Sequence, residues 1–350
     1  MKKVKKMKEV RIALLGIGRI GKIHFRNISQ GFHNANIIAV SDLQYDEQAF
    51  KKEFANIFFT RNPEEAIAFP GVDAVLICTP TSSHADLLEK AAHLGKHIFC
   101  EKPMDLSLQR SAALADLVKR KNVKLMLGFN RRFDPDFMQA RKHIKEGRIG
   151  AVQIVKITSR DPGLPSIEYL KNSGGLFMDM AIHDFDMARY MMNKEVVEVF
   201  AKGLVLVDED VAKANDIDTA LTTLTFEDGT YAVIDNSRKA VYGYDQRLEI
   251  FGSGGMIQVE NNLHNRNIIY DEKGIHKSLP LDFFMDRYAA SYYKEMELFI
   301  NALINGTPMP VGGDDGLAAT RIAIAARMSV DEGRAVKISE IISGVKEMMV

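Results

Sequence analysis

From Val10 to about Asn130 the chain repeats one rhythm, a short run of β-branched and aliphatic residues followed by a longer stretch with apolar positions at helical spacing. Residues 11–15, 37–40, 74–78, 98–100 and 124–127 read as strands, and 84–94 and 107–121 as helices, with Ser82, Ser83 and Ser107 at the expected N-caps. Short apolar strands alternating with amphipathic helices predict a doubly wound parallel sheet. Beyond Arg131 the runs lengthen and alternate in polarity at 151–159, 220–226, 231–236 and 247–251, with turn signals at Asp228-Gly229 and over 252–255. Helical stretches at 134–146, 176–192, 285–303 and 315–332 accompany them. The pattern predicts an α/β domain over 9–130 and an α+β domain over 131–350 with a large, mostly antiparallel open sheet, preceded by a basic, flexible arm at 1–8.

Within this pattern, Gly16-Ile17-Gly18-Arg19-Ile20-Gly21 follows the first strand directly and opens a helix through Ile23, His24 and Ile28. Placed there, the glycines have separate tasks. Gly16 permits a tight turn, Gly18 lets the backbone approach a pyrophosphate, and Gly21 lets helix pack on strand, while the helix N-terminus offers N–H groups to the anion. Asp42, about 20 residues further on at the end of the second strand, is placed to accept hydrogen bonds from adenosine ribose hydroxyls, and its charge repels a 2′-phosphate. The first domain is therefore read as a Rossmann unit that binds NAD in preference to NADP.

Open α/β sheets bind ligands outside the carboxyl ends of their strands. Here the later ends run into Thr79-Pro80-Thr81-Ser82-Ser83-His84, Glu101-Lys102-Pro103 and Gly128-Phe129-Asn130-Arg131-Arg132. The expected cofactor contacts are the six residues from Gly16 to Gly21 with Asp42, Thr79, Pro80, Thr81, His84, Glu101, Lys102 and Asn130.

Charge narrows the partner. Lysine plus arginine equals aspartate plus glutamate at 46 each, so no net field draws the protein to nucleic acid or an anionic membrane. No stretch reaches the roughly 18 apolar residues of a membrane span, and the basic start lacks the apolar core of a secretory signal. Cys78 and Cys100 stand at strand ends without metal-ligand or CxxC spacing, and read as reduced core residues of a cytoplasmic protein. The expected partner is a small molecule.

Oxidising an alcohol with NAD requires a group that accepts the hydroxyl proton and a donor that stabilises developing alkoxide. Lys102, at a strand end beside the nicotinamide half of the cofactor, and His183 are the candidates. His183 lies in a helix entered through Gly174-Gly175; at about 100° per residue, Asp179, His183 and Asp186 share one face. Asp179 is four residues before His183 and is placed to hold its imidazole in one tautomer. Asp179, His183, Asp184 and Asp186 are too close along one helix to converge on an ion, so no metal is expected.

These motifs resemble the Gfo/Idh/MocA family of NAD(P)-dependent oxidoreductases, through the glycine loop, Glu101-Lys102-Pro103 and Asp179-x-x-x-His183. Gly128-Phe129-Asn130-Arg131-Arg132-Phe133-Asp134, the stretch from Gly174 through Arg189, and Ala240-Val241-Tyr242-Gly243-Tyr244-Asp245-Gln246-Arg247 resemble the inositol 2-dehydrogenases within it. The resemblance implies that Lys102, Asp179 and His183 act together at the reacting hydroxyl, with Arg132, Asp161 and Tyr242 as further polyol contacts. It implies oxidation of a cyclic polyol, myo-inositol to its 2-ketone first, and a homo-oligomer, tetramer or dimer, joined through the antiparallel sheet. A dehydrogenase of scyllo-inositol or another sugar or sugar acid, a glycosidase that oxidises its sugar transiently, and a non-catalytic NAD-binding regulator are the competing readings.

Overall fold

The computed structural model describes residues 7–341, so most of the expected basic arm, residues 1–6, lies outside the described residues. The chain forms two compact units, one of residues up to Phe133 together with Ala290–Ala318, the other of Asp134–Ala289 and the residues from Ala319 on. The return of 290–318 to the first unit is not visible in the alternation of strands and helices.

In the first unit the chain runs β1 Val10–Leu15, α1 Arg19–Gly31, β2 Ala35–Ser41, α2 Glu47–Glu53, β3 Phe58–Thr60, α3 Pro63–Ala68, β4 Ala74–Ile77, α4 His84–His93, β5 His97–Cys100, α5 Leu108–Arg120 and β6 Leu125–Leu127. The strands form one sheet in the order β3-β2-β1-β4-β5-β6, every pair parallel. This is the doubly wound sheet the pattern predicts, with β3 as an additional strand. β4 is buried along its whole length, as a strand covered on both faces must be. The order reverses between β1 and β4, the place where such sheets bind ligands. Ser107 caps α5 as expected, accepting from Arg110 N at 3.3 Å. Ser83 occupies the N-cap position of α4 but makes no cap; its hydroxyl donates to Thr79 Oγ1 and Pro80 O, and Ser82 lies inside a short 3-10 turn.

The second unit begins with α6 Pro135–Lys145, β7 Val152–Arg160, α7 Ile167–Ser173, α8 Ile182–Met192, β8 Val196–Leu204, β9 Thr219–Phe226, β10 Tyr231–Ser237, β11 Asp245–Gly252 and β12 Gly255–Val259. A hairpin of β13 Ile268–Asp271 and β14 Gly274–Lys277 comes next, then α9 Phe284–Arg287; α10 Ala289–Asn305, but for its first residue, and the start of α11 Gly313–Glu332 belong to the first unit, and the rest of α11 and β15 Val336–Lys337 to the second. The large sheet has the order β12-β11-β7-β10-β9-β8-β15 and is antiparallel except where β10 runs parallel to β7. Alternation within β9 and β10 buries Ala220, Leu224, Phe226, Ala232 and Ile234 on one face. Gly229, at φ +82°, closes the turn between them.

Two helices differ from their sequence reading. The stretch read as one helix over 176–192 opens with a π-helical turn, Phe177–Ala181, before α8. The stretch read over 285–303 is broken at Tyr288, which leaves helical geometry at φ −110°, ψ 19°. Arg287, just before that break, places Nη1 2.5 Å from Asp134 Oδ2, both side chains 2% exposed. Asp134 is also the N-cap of α6, accepting from Asp136 N and Phe137 N. Removing one partner of a buried pair leaves the other charge without compensation, so Asp134→Ala is expected to cost about 3–5 kcal/mol. Denaturant unfolding checks this, and a loss below about 1 kcal/mol would show that only the cap had been removed.

Candidate active site

The glycine loop is built as its spacing requires. Gly16 holds φ +87°, and a Cβ there would stand 2.8 Å from the carbonyl oxygen of Cys78. A Cβ on Gly21 would fall 1.9 Å from Gly16 O, so helix and turn touch through bare backbone. A Cβ on Gly18 would meet nothing within 4 Å, and Gly18 is the N-cap of α1 with no side-chain cap, so the chain leaves room beside the start of that helix. Arg19, exposed, and Ile20, half-buried, start that helix, while Ile17 is buried. Asp42 is held by main chain, its Oδ2 accepting from Ile17 N at 2.7 Å and its Oδ1 from Gln44 N and Tyr45 N at 2.8 Å. The arrangement fits a dinucleotide, with an open helix N-terminus for the pyrophosphate and a fixed carboxylate for the ribose.

The other strand ends are more internally occupied than the sequence suggests. His84 is 1% exposed and sets its two ring nitrogens 2.8 Å from Thr79 O and from Pro103 O, bracing the loop after β4 against the loop after β5. Pro80 and Thr81 lead into the 3-10 turn between them. Glu101 turns inward, its Oε1 3.3 Å from His24 Nε2. Lys102 is half-buried, and its bond to Pro103 is cis. Asn130 is buried and accepts at its carbonyl from Ser291. Arg132 is 8% exposed and donates to Asp315 Oδ1 at 2.8 Å, which gives it a bracing role in the first unit.

In the second unit, α7 ends at Gly174, and Gly174 and Gly175 both take positive φ to lead into the π turn. Asp216 fixes this entry by accepting from Leu176 N at 2.9 Å. Asp179 lies in the π turn, where helical wheels of 100° per residue do not apply, so its position relative to His183 in the first turn of α8 departs from the expected i, i+4 geometry. Both side chains are half-buried. Asp186 and Asp184 are buried instead, Asp184 accepting from Asn236 Nδ2 at 2.9 Å.

Two residues that the sequence reading missed hold Asp179. Tyr169 donates its hydroxyl to Oδ1 at 2.8 Å, and Arg238, 1% exposed, donates from Nη1 to Oδ2 at 3.2 Å. The other arm of Arg238 lies 3.5 Å from Asp216 Oδ2. Arg238 did leave a signal, because it extends the buried parity of β10 through Ala232, Ile234 and Asn236, where a charge is out of place. Asp161 comes directly after β7, with its main chain bonded to Ser237 and Ala240. The Tyr242 hydroxyl accepts from Arg160 at 3.1 Å and donates to Asp245 Oδ2 at 2.6 Å; burial and then the Asp245 carboxylate push it up, keeping it neutral.

A family model described as an oxidoreductase family with an NAD-binding Rossmann fold matches residues 10–129, and one for the GFO/IDH/MocA C-terminal domain matches 137–258. The chain is 45% identical over 334 residues to a Thermotoga maritima protein named myo-inositol 2-dehydrogenase, covering 95% of this chain and 100% of that one. It is 46% identical over 331 residues to the inositol 2-dehydrogenase of Rhizobium meliloti, covering 94% and 99%. A solved structure of scyllo-inositol dehydrogenase from Lactobacillus casei, described with bound NAD(H) and scyllo-inositol, is 30% identical with TM-score 0.88, over 95% of this chain and 100% of that one.

The loop geometry separates binding from folding. Gly18→Ala is expected to keep the thermal midpoint and weaken NADH affinity by roughly tenfold or more, whereas Gly21→Ala should destabilise the chain by about 1–3 kcal/mol. Calorimetry with fluorescence titration checks both, and equal effects at the two positions would refute the assignment. Loop, sheet order and both matched models agree, and the chain belongs to the GFO/IDH/MocA family of oxidoreductases, with the NAD-binding Rossmann fold of that family over residues 10–129.

Proposed function

We propose that the protein is an NAD-dependent dehydrogenase of a cyclic polyol, with myo-inositol as first substrate and its 2-ketone as product. The observation that carries this reading is similarity at 45% and 46% identity, over at least 94% of the chain, to two proteins named as inositol 2-dehydrogenases. Gly16, Ile17, Gly18, Arg19, Ile20, Gly21 and Asp42 hold the dinucleotide in this reading, and the bound nicotinamide supplies the hydride acceptor. Lys102 donates to the reacting hydroxyl oxygen and stabilises its alkoxide character, an imidazole nitrogen of His183 takes the proton, and Asp179 orients the reacting group. The support for Asp179 is its own fixation by Tyr169 and Arg238, since a carboxylate held from two sides presents one orientation. Arg132, Asp161 and Tyr242 are assigned to the polyol. The 30% identity to a scyllo-inositol dehydrogenase favours that stereoisomer as the second substrate to try.

The outer face of the large sheet supports a homo-oligomer. Tyr231 and Phe251 are in register with Ile154 across three strands, Met256 pairs with Phe251, and Leu221 shares the parity of that row. These side chains are 46–54% exposed for Leu221, Tyr231, Phe251 and Met256, an apolar stripe of the kind that marks an interface. We assign it to contact with further copies of this chain, and assign the protein, whose two cysteines are free, to the cytoplasm.

Incubation with NAD or NADP and a panel of inositols should give NADH with myo-inositol and slower turnover with NADP. Lys102→Ala should lose roughly 10²–10⁴-fold in kcat while retaining NADH binding. No turnover with any inositol or related sugar would sink the substrate reading, and an active Lys102→Ala the catalytic one. Light scattering should give a multiple of 39.2 kDa, falling towards that mass in a Tyr231→Arg, Phe251→Arg double variant; a monomeric wild type would overturn the oligomer.

A further inference from the structure

Three titratable side chains meet inside the first unit, behind the Glu-Lys-Pro segment. His24 comes from α1, Glu101 from the end of β5 and Glu295 from α10. One ligating atom of each lies within 4.8 Å of the others, and His24 and Glu295 are 0% exposed. His24 is packed edge-on by the rings of Phe99 and Tyr292, so the surroundings are apolar. Both carboxyl oxygens of Glu295 are buried, and no donor of the described residues reaches them.

Two ionised carboxylates this close would repel strongly, and Glu295, fully buried, could keep none of its hydration. Either a cation or a proton must relieve them. A cation would find three ligand groups among aromatic rings, short of the four of a structural zinc site or the six or more oxygens of calcium. A proton needs only one acceptor, and the Glu101 carboxylate supplies it. The thiols of Cys78 and Cys100, which burial and then Glu101 push up, and the phenol of Tyr292 also face the cluster, and none of these groups can carry a positive charge.

We propose that Glu295 is a neutral carboxylic acid whose O–H is shared with Glu101, and that this buried pair, seated against His24, is the positioning device for the adjoining Lys102. Burial pushes the Glu295 carboxyl well above the usual range, and the charge on Glu101 adds to it. Glu101 is confined on its other side as well, because a Cβ on Gly128 would come within 2.6 Å of its Oε2. The carboxyl of Glu101 is thus enclosed by α1, α10 and the loop after β6, and the residue beside it inherits that constraint. The inference rests on the reading of Lys102 as the group at the reacting hydroxyl.

The test has a spectroscopic and a kinetic arm on the full chain. Infrared difference spectra of wild type against Glu295→Gln at neutral pH should show a protonated carboxyl C=O band that the variant lacks. In steady state, Glu295→Leu should lower kcat about 10- to 100-fold with NADH affinity retained, and Glu295→Gln, a neutral isostere, should restore most of it. Absence of the band, equal losses in the Gln and Leu variants, or a stoichiometric metal removed by chelation would overturn the proposal. The infrared arm needs no substrate, so a chain inactive on inositols leaves the shared proton intact and fails only the functional reading.

Discussion

The first unit is organised by the approach of one backbone to another. Gly21 lies so close to the carbonyl of Gly16 that a side chain would overlap it, and this lets α1 start immediately behind β1. With the helix locked to the strand inside its first turn, its uncapped N-terminus stands where the sheet order reverses, the one place where an anion can lie on both. The same lock positions two side-chain contacts further along the chain. Ile17 N reaches Asp42 at the end of β2, and three residues beyond Gly21 the helix delivers His24 to Glu101. One missing Cβ therefore fixes the phosphate corner and the inner wall of the Glu-Lys-Pro segment.

The two units differ in how they hold some of their enclosed carboxylates. In the second, three acids are matched to guanidinium groups, Asp179 and Asp216 to Arg238 and Asp134 to Arg287, while Asp184 and Asp218 accept from an amide and from main chain. A buried cation is tolerable only with such partners, and an acid so paired stays ionised and fixed in direction. That suits the orienting role proposed for Asp179. In the first unit His24, Glu101 and Glu295 come together as one imidazole and two carboxyl groups, where the shared proton proposed above would limit the charge. A neutral acid adds a donor where a second anion would push the wall apart.

How legible a feature was in the sequence depends on whether it is written in backbone or in side-chain convergence. The glycine loop was readable because each glycine reports a local backbone demand, and Asp42 because its distance along the chain is set by one helix and one strand. The parallel sheet was readable from apolar runs, yet β3 escaped because three residues, Phe58 to Thr60, are too few to show a period. The parallel pairing of β7 with β10 escaped because alternation tells which face a residue takes and not which way its neighbour runs. The ion pair of Arg132 with Asp315 escaped because the two are 183 residues apart in the chain. His84 resembles a cofactor residue because its loop is at a strand end, and no local pattern announces that its ring faces two carbonyls. The π turn at Asp179 is equally silent, since one additional residue in a helix leaves its polarity pattern nearly unchanged.

The Glu101-Lys102 step bears on how an inward-turned acid would anchor the lysine beside it, in the role proposed for that lysine. Successive side chains of an extended segment point to opposite sides, so a strand end that sends Glu101 inward sends the next residue outward. An aliphatic residue at 101 would satisfy that alternation, but apolar contact is non-directional and leaves a terminal loop free to slide by fractions of an ångström. A carboxyl bound to an imidazole on α1 and confined over Gly128 is directional, and its burial makes departure costly. Lysine carries its charge on a flexible four-carbon stem, so whatever precision Lys102 has must come from its anchor. The cost of placing an acid among aromatic rings is then the cost of holding that stem at its root.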